Sequence, residues 1–488
     1  MFSRVLRLAL GALAAWFLFC FGLARAGFLS VDEPRYAWIG RAMAESGDWI
    51  TPRLYGQPWL EKPPLLFWMI AAGWKLGLRD EWAARLPVAL LAVAFLLLFG
   101  WSLRREFGQE IAMASTGILA TCGGWLLYAH VAVTDIPLAA TFGAAMLLAW
   151  RGNQAATARE RMDLALAGVS LGLAVLAKAL VPLALALPLL WWFRQRWRVL
   201  VVPFLLTVAV AAPWYLMAFV RHGKPLFDEL IVRHHFARFF DAKAQVLHPQ
   251  PFWFYVPVFL TLLLPWSPLV FAARPRRLWA DERSRFFVIW LTFGLLFFSL
   301  AAGKLPGYLL PLLPAASVLM GISVVEASRP KPWLWAVVVA AGAVYAAPDE
   351  RLLQNIVGSG PALTNAVWVG LGGGLLIGSW AGGTFFRTLA VAVLLMGSLR
   401  HWAAGIAERH TARPHAAFAA QTCVEPDLHR AWRYGLNYYA RSPLPDCKLE
   451  PRRWRADKAD FGMYLSDTIW RPVKQERGRS HWRRQDPR

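Results

Sequence analysis

Residues 30–64 read SVDEPRYAWIGRAMAESGDWITPRLYGQPWLEKPP, and they interrupt an apolar chain with carboxylates, arginines and a lysine set between prolines. The 488 residues around them are 57% hydrophobic, with 27 Trp and 30 Phe. The mean hydropathy is +0.40, far from the balance of a soluble globular domain. Most of the chain therefore reads as lipid-embedded. Its formal net charge of +22 raises the question of nucleic acid as a partner. The basic residues, however, sit on short loops between apolar runs, where the positive-inside rule and anionic headgroups favour them. Trp191, Trp192 and Trp197 lie at the ends of such runs, at the level where amphipathic rings meet headgroups.

A spanning helix needs about 20 mostly apolar residues, and roughly 13 windows qualify. They run near 5 to 27, 83 to 103, 110 to 131, 134 to 151, 162 to 180, 181 to 193, 199 to 220, 252 to 273, 285 to 303, 308 to 327, 332 to 347, 366 to 383 and 387 to 403. The first is either a leader ending near Ala24-Arg25-Ala26 or a retained span, and it is read here as a span. Every second loop is basic, from Arg104-Arg105 through Arg194, Arg196 and Arg198 to Arg329 and Lys331. The opposite face then receives the first loop 28–82, the segments around Asp135, Lys178 and Lys304, the loop 221–251 and the chain beyond 404. The expected architecture is an all-α polytopic membrane domain over 1–403, followed by a small soluble α/β domain over 404–488. That small domain holds Cys423 and Cys447, candidates for a disulfide in an oxidising compartment. Cys20 and Cys122 lie within spans and read as packing residues.

Within the first loop, Tyr36, Ile39 and Met43 recur at helical spacing, Arg41 and Glu45 form an i,i+4 pair, and Gly47 can end the turn. These features predict a helix over Glu33 to Ser46 lying on the outer surface, and a second surface helix over Leu65 to Leu78 after Glu61-Lys62-Pro63-Pro64. Asp32 falls at the start of the first helix. It is either an N-cap or a functional carboxylate, and an isolated Asp suits both readings. Thr134-Asp135-Ile136-Pro137 places another carboxylate on the same expected face, at the edge of the bilayer where an unpaired charge is costly.

The run from Asp32 to Met69 resembles the first external loop of membrane glycosyltransferases with a C-type fold (GT-C). The resemblance is to the bacterial branch that includes the lipid A aminoarabinose transferases and is related to the dolichyl-phosphate-mannose protein mannosyltransferases. Val133-Thr134-Asp135-Ile136-Pro137, Leu176-Ala177-Lys178 and Gly303-Lys304-Leu305-Pro306-Gly307-Tyr308 match in order. The chain departs from the pattern at Ala179, where the family usually reads Lys-Gly-Pro, and the similarity fades after about residue 330. The resemblance implies transfer of a sugar from a polyprenyl (undecaprenyl) phosphate carrier at the periplasmic face of the bacterial inner membrane, with no nucleotide sugar. No P-loop and no G-x-G-x-x-G motif is present.

Such a donor already carries a fair leaving group. Catalysis then needs cations where phosphate charge develops and a carboxylate at the acceptor. Asp32 is the candidate for that carboxylate, with Glu33 assisting and Asp135 on the acceptor side. Lys62 is the leading phosphate ligand, followed by Lys178 and Lys304. Arg35, Tyr36, Glu61, Arg233 and Tyr308 complete the expected donor site. No cofactor is expected. A divalent metal at His234 and His235 is the remaining alternative, weakened because adjacent side chains point different ways and no H-E-x-x-H spacing exists. The expected acceptor is lipid A phosphate receiving an amino sugar, with another glycan or protein Ser/Thr as the alternative. A lipid-linked sugar flippase is the competing class, disfavoured because the charges gather on one face and no inverted repeat is visible.

Overall fold

The computed structural model describes residues 2–153, 156–230, 232, 250–326, 411–426, 428–450, 454–456 and 483–484. The expected spans at 332–347, 366–383 and 387–403, most of the loop 221–251, and Arg233, His234 and His235 lie outside the described residues. Among the described residues, four helices are long and apolar enough to cross a membrane: Asp80–Thr121, Trp197–His222, Glu282–Leu300 and Pro306–Val325. The chain is mostly helical.

Seven helices lead to the site: α1 Phe2–Phe19, α2 Asp32–Ser46, α3 Leu65–Lys75, α4 Asp80–Thr121, α5 Gly123–Tyr128, α6 Asp135–Arg151 and α7 Ala158–Lys178. α4 is broken at Gly108, whose φ of +84° suits a residue without a Cβ. The break separates the windows read at 83 to 103 and 110 to 131. Two other windows differ from continuous spans. Residues 181 to 193 form the short helices Val181–Leu185 and Leu187–Trp192, opened by Pro182 and Pro188. Residues 252 to 273 divide into Phe252–Phe254, Tyr255–Leu262 and Ser267–Ala272, because Pro257, Pro265 and Pro268 remove backbone donors.

α2 ends at Gly47 in the left-handed region, φ +73°, and Arg41 pairs with Glu45 at 3.7 Å. It is not a surface helix. The stripe Tyr36, Ile39 and Met43 is buried, and so are Trp38 and Arg41 on other faces. One side packs on α3, at Gly40, where a Cβ would lie 2.4 Å from Ile70. Another is covered by the C-terminal helix Arg430–Ala440, which periodicity within α2 could not reveal.

That C-terminal helix belongs to a small unit with a three-stranded sheet. Thr422–Val424 pairs in parallel with Trp454–Ala456, which pairs antiparallel with Arg483–Arg484. A disulfide joins Cys423 to Cys447. The unit is packed onto the helical body. Tyr438, 1% exposed, sits in the main core, and its hydroxyl donates to Asp80 at 3.1 Å. The Tyr439 hydroxyl donates to Glu81 at 2.5 Å and accepts from the Phe28 amide at 3.1 Å. Arg41 lies 4.5 Å from the Trp38 ring and 4.9 Å from the Tyr438 ring.

At the centre of this body Glu33 meets Arg85, 0% and 2% exposed. Arg85 Nε and Nη2 donate to the two carboxylate oxygens at 2.6 and 2.8 Å. Its remaining protons go to the carbonyls of Leu23, Ala26 and Gly27 at 3.0, 2.6 and 2.8 Å. Glu33 also accepts from the amides of Ala132 and Leu29 at 2.9 and 2.7 Å. Every donor of the guanidinium and both oxygens of the carboxylate are used, the condition under which a buried pair is tolerated. Glu33→Ala strands Arg85 without its counter-charge and is expected to cost about 3–5 kcal/mol. A sharply lower melting temperature in detergent, or loss of folded protein, is the expected readout; an unchanged melting temperature would remove the pair from the scaffold.

Candidate active site

The first residue of α2 is Asp32, preceded by Val31, which makes no side-chain cap. Asp32 is therefore not the N-cap that one sequence reading allowed. Its Oδ1 accepts from Arg35 Nη2 at 2.5 Å, one helical turn on. The two neighbouring carboxylates have opposite surroundings: Asp32 is 46% exposed, whereas Glu33 is sealed in the core. A substrate can reach the first and not the second. The catalytic role expected of Glu33 is thus at odds with its geometry, which makes it an anchor for the start of α2.

Arg35 is 12% exposed, and its Nη1 stands 3.8 Å from Glu61. The guanidinium lies 5.0 Å from the Trp59 ring, 5.4 Å from Tyr36 and 5.7 Å from Tyr434. Three rings and two carboxylates hold it in place, which removes rotamer freedom before any ligand arrives. Lys62 follows Glu61 and is half-buried, ahead of the buried Pro63 and Pro64 that stiffen its segment. Burial, and after it the Asp32 carboxylate, hold the Tyr36 phenol well above its usual range. It stays protonated.

A second cluster forms where three distant segments meet. Lys178, the last residue of α7, donates to Asp135 Oδ1 at 2.8 Å, and its Nζ stands 4.6 Å from the Tyr308 ring. Asp135 opens α6, and Gly307 packs against it: a Cβ at Gly307 would lie 2.9 Å from Asp135 Oδ1. Both partners are partly exposed, at 15% and 16%. The charges of Asp135 and Glu61, like that of Asp32, add to the upward push on the Tyr36 phenol.

Lys304 departs from its expected role. It is 4% exposed, and its Nζ donates to the Ala301 carbonyl and to the Gln250 carbonyl, the latter at 3.0 Å. Burial lowers its pKa. Buried and donating to two carbonyls, it ties two backbone segments together, an arrangement that does not present its charge openly to phosphate. Arg233 lies outside the described residues. No group of three His, Cys, Asp or Glu side chains that could hold a metal occurs among the described residues. Residues absent from the sequence reading are Arg85, Trp59 and Tyr434. An arginine just inside the apolar window 83 to 103 was a visible signal for the first; nothing local marked Tyr434.

The arrangement of helices is that of the C-type membrane glycosyltransferases. ArnT from Cupriavidus metallidurans, solved bound to undecaprenyl phosphate, superposes with a TM-score of 0.73 at 22% identity, covering 92% of this chain and 88% of its own. The archaeal oligosaccharyltransferase AglB from Archaeoglobus fulgidus follows with a TM-score of 0.55 at 12% identity, covering 91% and 65%. Residues 9–260 match the model of the dolichyl-phosphate-mannose-protein mannosyltransferase family, and the chain belongs to that family. An undecaprenyl phosphate-alpha-4-amino-4-deoxy-L-arabinose arabinosyl transferase of Pseudomonas aeruginosa is 31% identical over 327 residues, 63% of this chain and 57% of the relative. A protein of the same description from Edwardsiella ictaluri is 34% identical over 307 residues, 59% and 54% of the two chains. The chain thus matches little more than half the length of these relatives.

Ala179, where the sequence departs from Lys-Gly-Pro, takes φ +49° directly after Lys178. With ψ at −122° this lies outside the left-handed helical region, in a sparsely populated conformation that suits glycine and costs an L-residue about 1–3 kcal/mol. Ala179→Gly is therefore expected to raise the melting temperature in detergent by a few degrees, consistent with about 1 kcal/mol. A lower melting temperature would show that the strain at this helix end is not real.

Proposed function

We propose that the chain is a glycosyltransferase that moves an amino sugar from undecaprenyl phosphate to a phosphate of lipid A, at the periplasmic face of the bacterial inner membrane. The observation that carries this reading is the exposed Asp32 carboxylate locked to Arg35 at 2.5 Å, beside Glu61 and Lys62 on the first loop. It is supported by the family match and by relatives whose names specify an undecaprenyl phosphate-linked aminoarabinose donor. In this reading the chain crosses the membrane roughly 13 times. Residues 1–403 form the transferase domain, with 28–82 as the periplasmic first loop and 221–251 as a periplasmic gating loop over the donor, and 404–488 lie outside with the active site.

An oxygen of the acceptor phosphate attacks the anomeric carbon of the sugar. The bond from that carbon to the carrier phosphate breaks, the electron pair leaves with the phosphate, and undecaprenyl phosphate is released. Displacement in one step inverts the anomeric centre. Arg35 and Lys62 stabilise the charge that develops on the leaving phosphate, and Lys178 exchanges part of its Asp135 contact for a phosphate oxygen. Asp32 orients the acceptor and offsets positive charge at the sugar. The acceptor phosphate is already ionised, so no general base is required. With a hydroxyl acceptor, as on another glycan or on protein Ser/Thr, Asp32 takes the proton. The family's description as a protein mannosyltransferase favours this second reading.

Mass spectrometry of lipid A from cells with the gene, without it, and with Asp32→Asn tests the proposal. A sugar-sized mass increment present only with the wild-type gene is expected, together with normal membrane levels of the variant. Lipid A that is identical in all three strains would contradict the lipid A reading, and an active Asp32→Asn would remove the carboxylate from the mechanism.

A further inference from the structure

The Asp32–Arg35 pair is not built by the first loop alone. Tyr434, on the helix Arg430–Ala440, places its ring 5.7 Å from the Arg35 guanidinium. Trp59 takes another position around the same group, at 5.0 Å. Tyr434 is itself backed by Tyr55, with ring centroids 6.4 Å apart, and Tyr55 stands edge-on to Trp38 of α2 at 4.7 Å.

Tyr55 is held at a cost. It shares with Gly56 the two-residue turn between Arg53–Leu54 and Gln57–Pro58, with φ +52° and +82°. Positive φ at both central residues marks a hairpin turn that favours Asn-Gly, and a tyrosine there is strained. The strain is maintained where the ring meets Trp38 and Tyr434. The C-terminal helix is fixed independently, by the Tyr438 and Tyr439 hydroxyls on Asp80 and Glu81 and by the disulfide that brackets it between Cys423 and Cys447.

We infer that Tyr434 is a positioning residue for the transfer reaction: the C-terminal helix lays its ring against Arg35 and so fixes the Asp32–Arg35 pair. The C-terminal segment is then a wall of the site, and the orientation of Arg35 depends on its docking. This inference rests on the transferase reading above. A cation against an aromatic face in a partly desolvated site is worth about a tenfold effect.

The experiment compares the full-length wild type, Tyr434→Leu and Tyr434→Phe, purified in detergent, in transfer from undecaprenyl phosphate-linked 4-amino-4-deoxy-L-arabinose to lipid A. Tyr434→Leu is expected to lose about tenfold in kcat with KM changed less than about threefold, the pattern of an interaction that matters in the transition state. Tyr434→Phe, which keeps the ring, is expected to recover transfer to within about twofold. A wild-type kcat in Tyr434→Leu, or a Phe variant as impaired as Leu, overturns the inference. If the wild type itself transfers nothing, the reading as an aminoarabinose transferase acting on lipid A falls. The contact is then judged from melting temperatures of Arg35→Ala, Tyr434→Leu and their double variant. Losses smaller in combination than in sum support it, and strictly additive losses overturn it.

Discussion

The buried ion pair between Glu33 and Arg85 ties together the chain segments that carry the two candidate carboxylates. Its partners are 52 residues apart, and its further hydrogen bonds reach back to Leu23, Ala26 and Gly27 and forward to Ala132. Together, the guanidinium through the carbonyls of Leu23, Ala26 and Gly27 and the carboxylate through the Ala132 amide, the pair ties the exit of the first helical region, the start of α2, the start of α4 and the approach to α6. Asp32 is the residue before Glu33, and Asp135 comes three residues after Ala132. The two candidate carboxylates are therefore set relative to one another through a single saturated pair. Such a pair contributes little net stability over a well-packed apolar replacement, but losing one partner is severe. Its value lies in specifying one arrangement.

The contrast between neighbours follows from this. In Asp32-Glu33 the same chemical group appears twice, and the helix start points the two side chains to different media. Glu33 has its acceptor capacity filled by protein donors, whereas Asp32 has one arginine and open surface. The remaining cations divide in the same way. Lys304 is occupied by backbone carbonyls, and Lys178 carries a partly exposed ion pair that an anionic ligand can compete for. Charge in this chain is sorted by burial and by what already occupies each group.

Much of this was legible in the sequence, for reasons that are local. The spacing of Tyr36, Ile39 and Met43 with Gly47 defines α2, and sustained apolarity defines the spans. The motifs at Asp32, Asp135, Lys178 and Gly307 resemble one family in order, and the structure brings the last three into one cluster. What could not be read was pairing at long range. Arg85 reads as a flank of a span until its carboxylate partner is known. Lys304 reads as a headgroup or phosphate ligand until the carbonyls around it are placed. The windows at 181 to 193 and 252 to 273 are apolar throughout yet divided by proline, which breaks a helix even where the side chains suit lipid, and apolarity alone does not mark those breaks. The cover that Tyr434 and Tyr438 place over α2 leaves no trace in the periodicity of either helix.

The most direct measurement is an experimental structure of the full chain with undecaprenyl phosphate in a lipid nanodisc. The account expects phosphate density within hydrogen-bond distance of Arg35 and Lys62, with the Asp32 carboxylate facing the acceptor side and the Glu33–Arg85 pair unchanged. Phosphate seated instead among the arginines of the opposite loops, with Asp32 and Arg35 untouched, would contradict it.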